Sequence, residues 1–385
     1  MWRFALLLVS AAGCVGAAPE DPGSDADPGP GDGTDEQPVQ VDCEAISPRS
    51  GSGQTFYEDN PTYVDDSAPP EWRLSAPGDV GIDEAALEAG SAELARSPAL
   101  LSLLVVRDGA LAFERYYHGS DASQSNNIHS ASKSILSAVV GIALDEGLIE
   151  SLDAPLADYL PEYIAAGSAE AAITLRDVLT MSSGLEWTED DTEYAVIEPT
   201  DDWVGAILGQ PLTGEPGAAF NYSSGMSHVM SAVLTRATGS STCAYAHEKL
   251  LAPLGITAEH WGRDPSGVFS GGYNLYMTPR ELARFGELYL RDGDWDGRQL
   301  VPASWTQQSI QPQLPAEEGY DYGYYWWLTS GAGQDVAIAW GFGGQFIYLV
   351  PALDLMVVMT ADTAADHPEL DGETFLFDHL LPAVQ

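Results

Sequence analysis

A serine and a lysine stand three residues apart at the start of an apolar stretch of the chain. Ser130 and Lys133 occupy positions i and i+3, and residues 135–144 predict a buried helix that ends near Gly147. Residues at this spacing share one helix face, so the hydroxyl and the amine can meet. A lysine buried there loses its proton more readily and can help to activate a weak serine nucleophile. Free N–H groups in the first helical turn would stabilise an oxyanion beside the serine.

The alternative for this pair is a helix-capping serine next to a surface lysine. The chain contains only two lysines, and Lys249 has Ala246 three residues before it. Ser130 and Lys133 are therefore the only serine and lysine in the sequence with the lysine three residues after the serine. A lysine that opens an apolar helix in so lysine-poor a chain favours a chemical role.

A tyrosine with two serines forms the second candidate stretch. Residues 216–227 run from a Pro-Gly turn through Tyr222, Ser223 and Ser224 into an apolar helix. A nearby cation favours the phenolate of a tyrosine, so Tyr222 could take a proton from Ser130 and return it to a leaving group. The alternative is a loop aromatic that packs on the core.

A glycine-rich stretch that leads into a strand is the third candidate. Phe342, Gly343 and Gly344 lie within residues 339–351, and glycines allow backbone N–H groups to approach a ligand closely. One such N–H, together with that of Ser130, would form an oxyanion hole. A β-bulge or a tight hairpin would also explain the glycines.

The elements that must position these residues alternate between strands and helices. Residues 101–117 predict a hairpin around Asp108-Gly109, and strand patterns return at 324–328, 336–340, 345–350 and 355–360. Helical patterns cover 83–96, 173–181 and 374–381. We therefore expect an α/β sandwich, with an antiparallel sheet from about 80–125 and 255–385 and an inserted, mostly helical part at about 135–254.

The first residues of the chain have the pattern of an export signal. Arg3 precedes the short apolar run 4–9, which is too short to span a bilayer. Residues 11–14 resemble a bacterial lipobox that ends at Cys14, with Ala11 where a leucine is usual. We expect residues 1–13 to be removed and Cys14 to be lipidated. The protein would then be a lipoprotein on the cell envelope, facing the periplasm or in the outer membrane, or a secreted protein if cleavage occurs without lipidation.

Residues 14–50 predict a disordered acidic tether, because Pro, Gly and Asp dominate residues 17–40 and cannot form a core. The folded domain would then span residues 51–385. Cys43 and Cys243 are the two other cysteines. Export to an oxidising compartment allows them to form a disulfide, and two separate thiols are the alternative.

Composition excludes several classes of partner. A formal net charge of −43 argues against nucleic acid and anionic membrane surfaces, so we expect membrane contact only through the lipid anchor.

The seven histidines form no zinc-binding motif. Residues 292–297 open like a calcium loop, but Ala303 stands where the bidentate glutamate is needed, which predicts a polar turn. We expect neither a metal nor a cofactor.

Together the three stretches resemble the serine β-lactamase and penicillin-recognising hydrolase family, in the branch with class C β-lactamases. That branch includes esterases, D-alanyl-D-alanine carboxypeptidases and 6-aminohexanoate-oligomer hydrolases. Ser130 to Lys133 match the nucleophile motif, and Tyr222 to Ser224 match the tyrosine motif with Ser224 in place of asparagine. Residues 173–185 and 271–286 are also similar to segments of this family. The resemblance implies Ser130, Lys133 and Tyr222 as catalytic residues and Phe342, Gly343, Gly344 and Ser224 as oxyanion or substrate-binding residues.

One departure from the family bears on the substrate. The Lys-Thr-Gly or His-Thr-Gly triad is absent, and residues 340–345 stand in its place, so the cation that pairs with a substrate carboxylate is missing. We expect a serine hydrolase of a small ester or amide acting through an acyl-enzyme. The alternatives are a β-lactamase or D,D-carboxypeptidase acting on a β-lactam-like substrate, and a catalytically silent ligand-binding homologue.

Overall fold

A computed structural model describes most of the chain. It covers residues 41–46, 63–64, 71–189, 192–197, 199–317, 319–365 and 370–385. The expected signal peptide, Cys14 and most of the expected tether lie outside these residues. Within these ranges, no helix has both the length and the apolar character that crossing a membrane requires.

The strands of the described residues form one large sheet, one small sheet and a hairpin. They are β1 Tyr63–Val64, β2 Leu100–Arg107, β3 Ala110–Tyr116, β4 Gln124–Asn127, β5 His260–Trp261, β6 Leu275–Met277, β7 Asp294–Trp295, β8 Arg298–Gln299, β9 Leu314–Pro315, β10 Asp321–Tyr322, β11 Trp327–Gly331, β12 Gln334–Gly341, β13 Gln345–Val350 and β14 Leu355–Ala361. The antiparallel eight-stranded sheet has the order β3-β2-β14-β13-β12-β11-β10-β9, and the four-stranded sheet has the order β1-β4-β6-β5. The polar turn expected at residues 292–297 is the β7–β8 hairpin.

The helices are mostly short. They are α1 Cys43–Ile46, α2 Glu84–Leu94, α3 Ser132–Asp145, α4 Leu175–Leu179, α5 Trp203–Leu208, α6 Ser224–Thr238, α7 Thr242–Ala246, α8 Pro279–Leu290, α9 Ala303–Ser309, α10 Gly372–Thr374 and α11 Leu381–Ala383. Single 3₁₀ turns lie at Pro77–Val80, His129–Ala131, Leu156–Asp158, Ala169–Ala172 and Pro351–Leu353, and π-helical turns at Glu193–Ile197, His247–Leu251 and Phe375–Leu380.

The large sheet is buried on both faces. Every residue of β13 and β14 is buried, and successive residues of β14 point into two different cores. Met356 and Val358 belong to the core that contains α3 and α8, whereas Val357 and Met359 belong to the core that contains α2 and the last helical turns of the chain. The α/β sandwich expected from the sequence is therefore confirmed. All described strands lie before residue 128 or after residue 259, so helices and irregular segments make up the part in between.

Turn chemistry explains why the first hairpin forms where the sequence predicts it. Asp108 and Gly109 have φ values of 52° and 67°, which is the left-handed pair that a two-residue hairpin turn requires. The strand expected at residues 324–328 is wrong in its first half, because Tyr325 has a φ of 62° and β11 begins only at Trp327. This irregular entry brings Trp327 towards the helical part of the chain.

The N-terminal arm is held to the folded body at two places. Cys43 and Cys243 are joined in a disulfide, and Glu44 forms an ion pair of 2.6 Å with the buried Arg263. Farther along the chain, β1 pairs with β4 through Tyr63. The expected tether 14–50 is therefore too long at its end, since α1 is anchored through Cys43.

Candidate active site

The nucleophile candidate lies in a tight turn between a strand and a helix. His129 has a φ of 47°, and its backbone N–H donates to Asn127 Oδ1 at 2.9 Å. This turn is a 3₁₀ turn, so α3 begins at Ser132 and not at Ser130 as the sequence suggests. Ser130 itself is half-buried. Its hydroxyl is therefore close to a helix N-terminus and still reachable by a ligand.

Lys133 is buried, with 1% of its surface exposed, and its amine is surrounded by acceptors. Nζ donates to Ser130 Oγ at 2.8 Å, to Ser224 Oγ at 3.0 Å and to the carbonyl of Gly272 at 2.9 Å. An amine can donate all three of these hydrogen bonds when it is protonated. Lys133 therefore holds the Ser130 hydroxyl at the start of α3.

Tyr222, the proton acceptor that the sequence predicts, lies beside Lys133. Lys133 Nζ lies 4.9 Å from the centre of its ring, which is within the range of a cation–π contact. The half-buried ring of Tyr222 stacks on Trp327 with 5.6 Å between centroids. Burial raises the pKa of Tyr322 and Tyr325 well above the usual value, so these neighbours remain neutral phenols.

The predicted helix at residues 173–181 helps to place Tyr222. Thr174 and Asp177 form a capping box at the start of α4, which satisfies its first N–H groups. The chain then turns through Met181, whose φ is 56° and whose carbonyl accepts the N–H of Asn221 at 2.7 Å. This bond fixes the residue directly before Tyr222.

Ser224 lies behind the lysine and does not face the solvent. It is fully buried, and its hydroxyl accepts from Lys133. Its backbone N–H donates to Glu189 Oε2 at 3.0 Å. Its hydroxyl holds Lys133 in place, and its predicted contact with substrate stays a prediction.

The glycine-rich stretch reaches the nucleophile turn. A Cβ atom on Gly341 would lie 2.1 Å from the carbonyl oxygen of Ile128, so the end of β12 runs directly against the residues before Ser130. Gly343 and Gly344 have φ values of 76° and 106° and form the turn into β13, which is the hairpin alternative for these residues. An oxyanion-hole N–H on Phe342 stays a prediction.

His129 is a neutral structural residue. Burial first and the charge of Lys133 second lower its pKa to about 4. The ring of Phe342 packs against it edge-on at 5.8 Å between centroids. A general-base role for His129 is not supported by this environment.

Sequence patterns do not predict three groups of the site, which are the carbonyl of Gly272, the carboxylate of Glu189 and the ring of Trp327. The adjacent glycines Gly271 and Gly272 did carry a signal of close approach. A Cβ atom on Gly271 would lie 1.9 Å from the carbonyl of Ser227. No local pattern, however, links these groups to Lys133 or Tyr222.

The fold and the serine–lysine pair together define a β-lactamase-like serine hydrolase. Residues 96–379 match the family model described as Beta-lactamase, and the chain belongs to that family. The resemblance and the enzyme class expected from the sequence are thereby confirmed.

Individual relatives agree with this assignment. A 6-aminohexanoate-dimer hydrolase from Paenarthrobacter ureafaciens is 28% identical over 67% of this chain and 71% of its own length. A solved structure of a Bacillus anthracis protein, provisionally described as a 6-aminohexanoate-dimer hydrolase, has a TM-score of 0.66 and 20% identity over 80% of this chain and 87% of its own. EstCE1, a hydrolase with promiscuous acyltransferase activity, has a TM-score of 0.60 and 14% identity over 76% of this chain and 96% of its own. Both structural likenesses concern the fold.

Proposed function

We propose that this chain is an exported hydrolase that cleaves a neutral or cationic ester or amide through an acyl-enzyme on Ser130. The observation that carries the proposal is the buried Lys133 ammonium, which donates to Ser130 Oγ at 2.8 Å while lying 4.9 Å from the Tyr222 ring. A buried cation that binds a half-buried serine and faces a tyrosine is suited to nucleophilic catalysis.

The reaction would consist of acylation of Ser130 followed by hydrolysis of the acyl-enzyme. The Tyr222 phenolate accepts the Ser130 proton while Oγ attacks the carbonyl carbon, and the carbonyl oxygen becomes the oxyanion. The tyrosine then gives that proton to the leaving oxygen or nitrogen as its bond to carbon breaks. In deacylation, the Tyr222 phenolate accepts a proton from a water molecule that attacks the acyl carbon. The tyrosine then returns that proton to Ser130 Oγ as the acid is released.

The charges around the site favour substrates without a carboxylate. Trp340 occupies the region where the family has a cationic triad, and Glu189 places a carboxylate beside the start of α6. A negative group repels an anionic substrate and tolerates a neutral or cationic one. The names of the 6-aminohexanoate-dimer hydrolase and of EstCE1 support a hydrolase of amides or esters.

A substrate panel tests the proposal. We expect p-nitrophenyl acetate and butyrate to be hydrolysed with a kcat/KM at least about ten-fold above that for nitrocefin, because a missing cation costs roughly 1–3 kcal/mol of binding to a carboxylate. Faster hydrolysis of nitrocefin would instead support a β-lactamase or D,D-carboxypeptidase. A chain that a fluorophosphonate probe fails to label at Ser130 would be a silent ligand-binding homologue.

We further propose that Cys14 carries a lipid and that the acidic residues after it separate the enzyme from the membrane. The basis is the apolar run 4–9 followed by small residues and Cys14. Cys14→Ser should move the protein from the membrane fraction to the soluble fraction with its specific activity retained. Wild-type protein that is already soluble and carries no lipid on Cys14 would contradict the anchor.

A further inference from the structure

Two exposed aromatic side chains stand on either side of the glycine that touches the nucleophile turn. Trp340 is 36% exposed and Phe342 is 56% exposed, and Gly341 lies between them. Because Gly341 has no side chain, its backbone fits against Ile128 immediately before the nucleophile turn. Large apolar groups left in solvent next to a reactive serine are typical of a ligand-binding wall.

Trp340 is connected to the proposed proton carrier by a second indole. Its ring lies 5.6 Å from that of Trp327, which in turn lies 5.6 Å from the ring of Tyr222. Tyr320 supports Trp340 from the side at 5.7 Å. Tyr222, Trp327 and Trp340 therefore form a continuous row of rings that starts at the site of proton transfer.

The position of this row decides which half of a substrate it would meet. Tyr222 must reach the leaving atom in order to protonate it, so groups attached to that atom extend along the same side of the site. Phe342 lies beyond Gly341, and its ring packs against His129. The row is thus placed beside the leaving alcohol or amine, not beside the acyl group.

We propose that Trp340, backed by Trp327, forms a leaving-group subsite that selects esters and amides whose alcohol or amine carries an aromatic ring. The proposal rests on the proposed function, since it assigns a substrate class to the same site. Aromatic rings prefer offset or edge-to-face contacts with other rings, and both indoles offer such surfaces. Trp340 stands where the family has a cation. Its indole would bind an apolar ring, whereas the cation would bind a carboxylate.

The test compares benzyl acetate with ethyl acetate, whose leaving alcohols have similar basicity, by titrating the acetic acid released. Wild-type enzyme should prefer benzyl acetate in kcat/KM by about ten-fold to about a hundred-fold, which corresponds to one buried ring. Trp340→Ala should lose most of that preference, chiefly through a raised KM for benzyl acetate. Trp340→Phe keeps a ring and should retain part of it.

Tyr163→Ala is the matched control, because Tyr163 is 37% exposed and lies in the helical part of the chain. It should retain the wild-type preference. The leaving-group subsite is wrong if wild-type enzyme shows no preference, or if Trp340→Ala keeps the full preference while still reacting with the fluorophosphonate probe. Absence of any Ser130-dependent turnover or labelling in wild-type protein would overturn the proposed function itself, and the subsite with it.

Discussion

Ser130→Ala should eliminate both the covalent label and the turnover of every ester in the panel, with a loss in kcat on the order of 10⁶. The reason is that the acyl-enzyme forms on Oγ, which is partly exposed and accepts a 2.8 Å bond from Lys133 Nζ. The measurement is intact-protein mass spectrometry after incubation with a fluorophosphonate, followed by steady-state rates.

Ser132→Ala provides the matched control for this variant. Ser132 lies two residues farther along the chain, is buried, and its hydroxyl has no hydrogen-bond partner in the described part of the structure. The control should label and turn over nearly as wild type does. Label that persists in Ser130→Ala at the wild-type rate would place the nucleophile elsewhere.

Tyr222→Phe should lower the rate of acylation by about 10²–10⁴, the usual value of general acid–base help. The phenylalanine keeps the ring that stacks on Trp327, so the loss reports the missing proton carrier rather than a packing defect.

Lys133→Met keeps the length of the lysine stem and removes the charge that holds Ser130 and faces Tyr222. It should be similarly severe, and the double variant should be little worse than either single one, because the two residues act as one unit.

Tyr322→Phe separates the role of Tyr222 from that of its neighbours. The two rings lie 6.5 Å apart, but Tyr322 is fully buried and burial raises its pKa far above the usual value. Its variant should keep most of the activity. An unactivated amide is the stricter substrate, since its poor leaving group needs the proton back. Near-wild-type turnover of that amide by Tyr222→Phe would mean that a different group is the base.

Local patterns predicted the parts of the site that lie close together in the sequence. The spacing of Ser130 and Lys133, the turn at Asp108-Gly109 and the cap at Thr174 all depend on residues within one or two turns, where periodicity and turn chemistry operate. The start of α3 differs from the prediction because His129 has a φ of 47°, a conformation that the sequence does not mark with a glycine.

Contacts between distant segments could not be predicted in the same way. The carbonyl of Gly272 binds Lys133 across 139 positions, and Glu189 binds the N–H of Ser224 across 35. Such contacts depend on how whole elements pack, which a single sequence does not reveal. The two cysteines likewise left pairing and separate thiols open, and the packing of α1 against the body places Cys43 beside Cys243.

The pairing of β1 with β4 bears on how the protein should be produced for study. β4 leads directly into the nucleophile turn, and β1 covers its outer edge at Ser125 and Gln124. An expression clone that started at residue 96, where the family match begins, would leave that edge bare, and bare edges recruit strands from other molecules. Clones for crystallisation should therefore start before Cys43, in a host whose export pathway lets Cys43 and Cys243 oxidise.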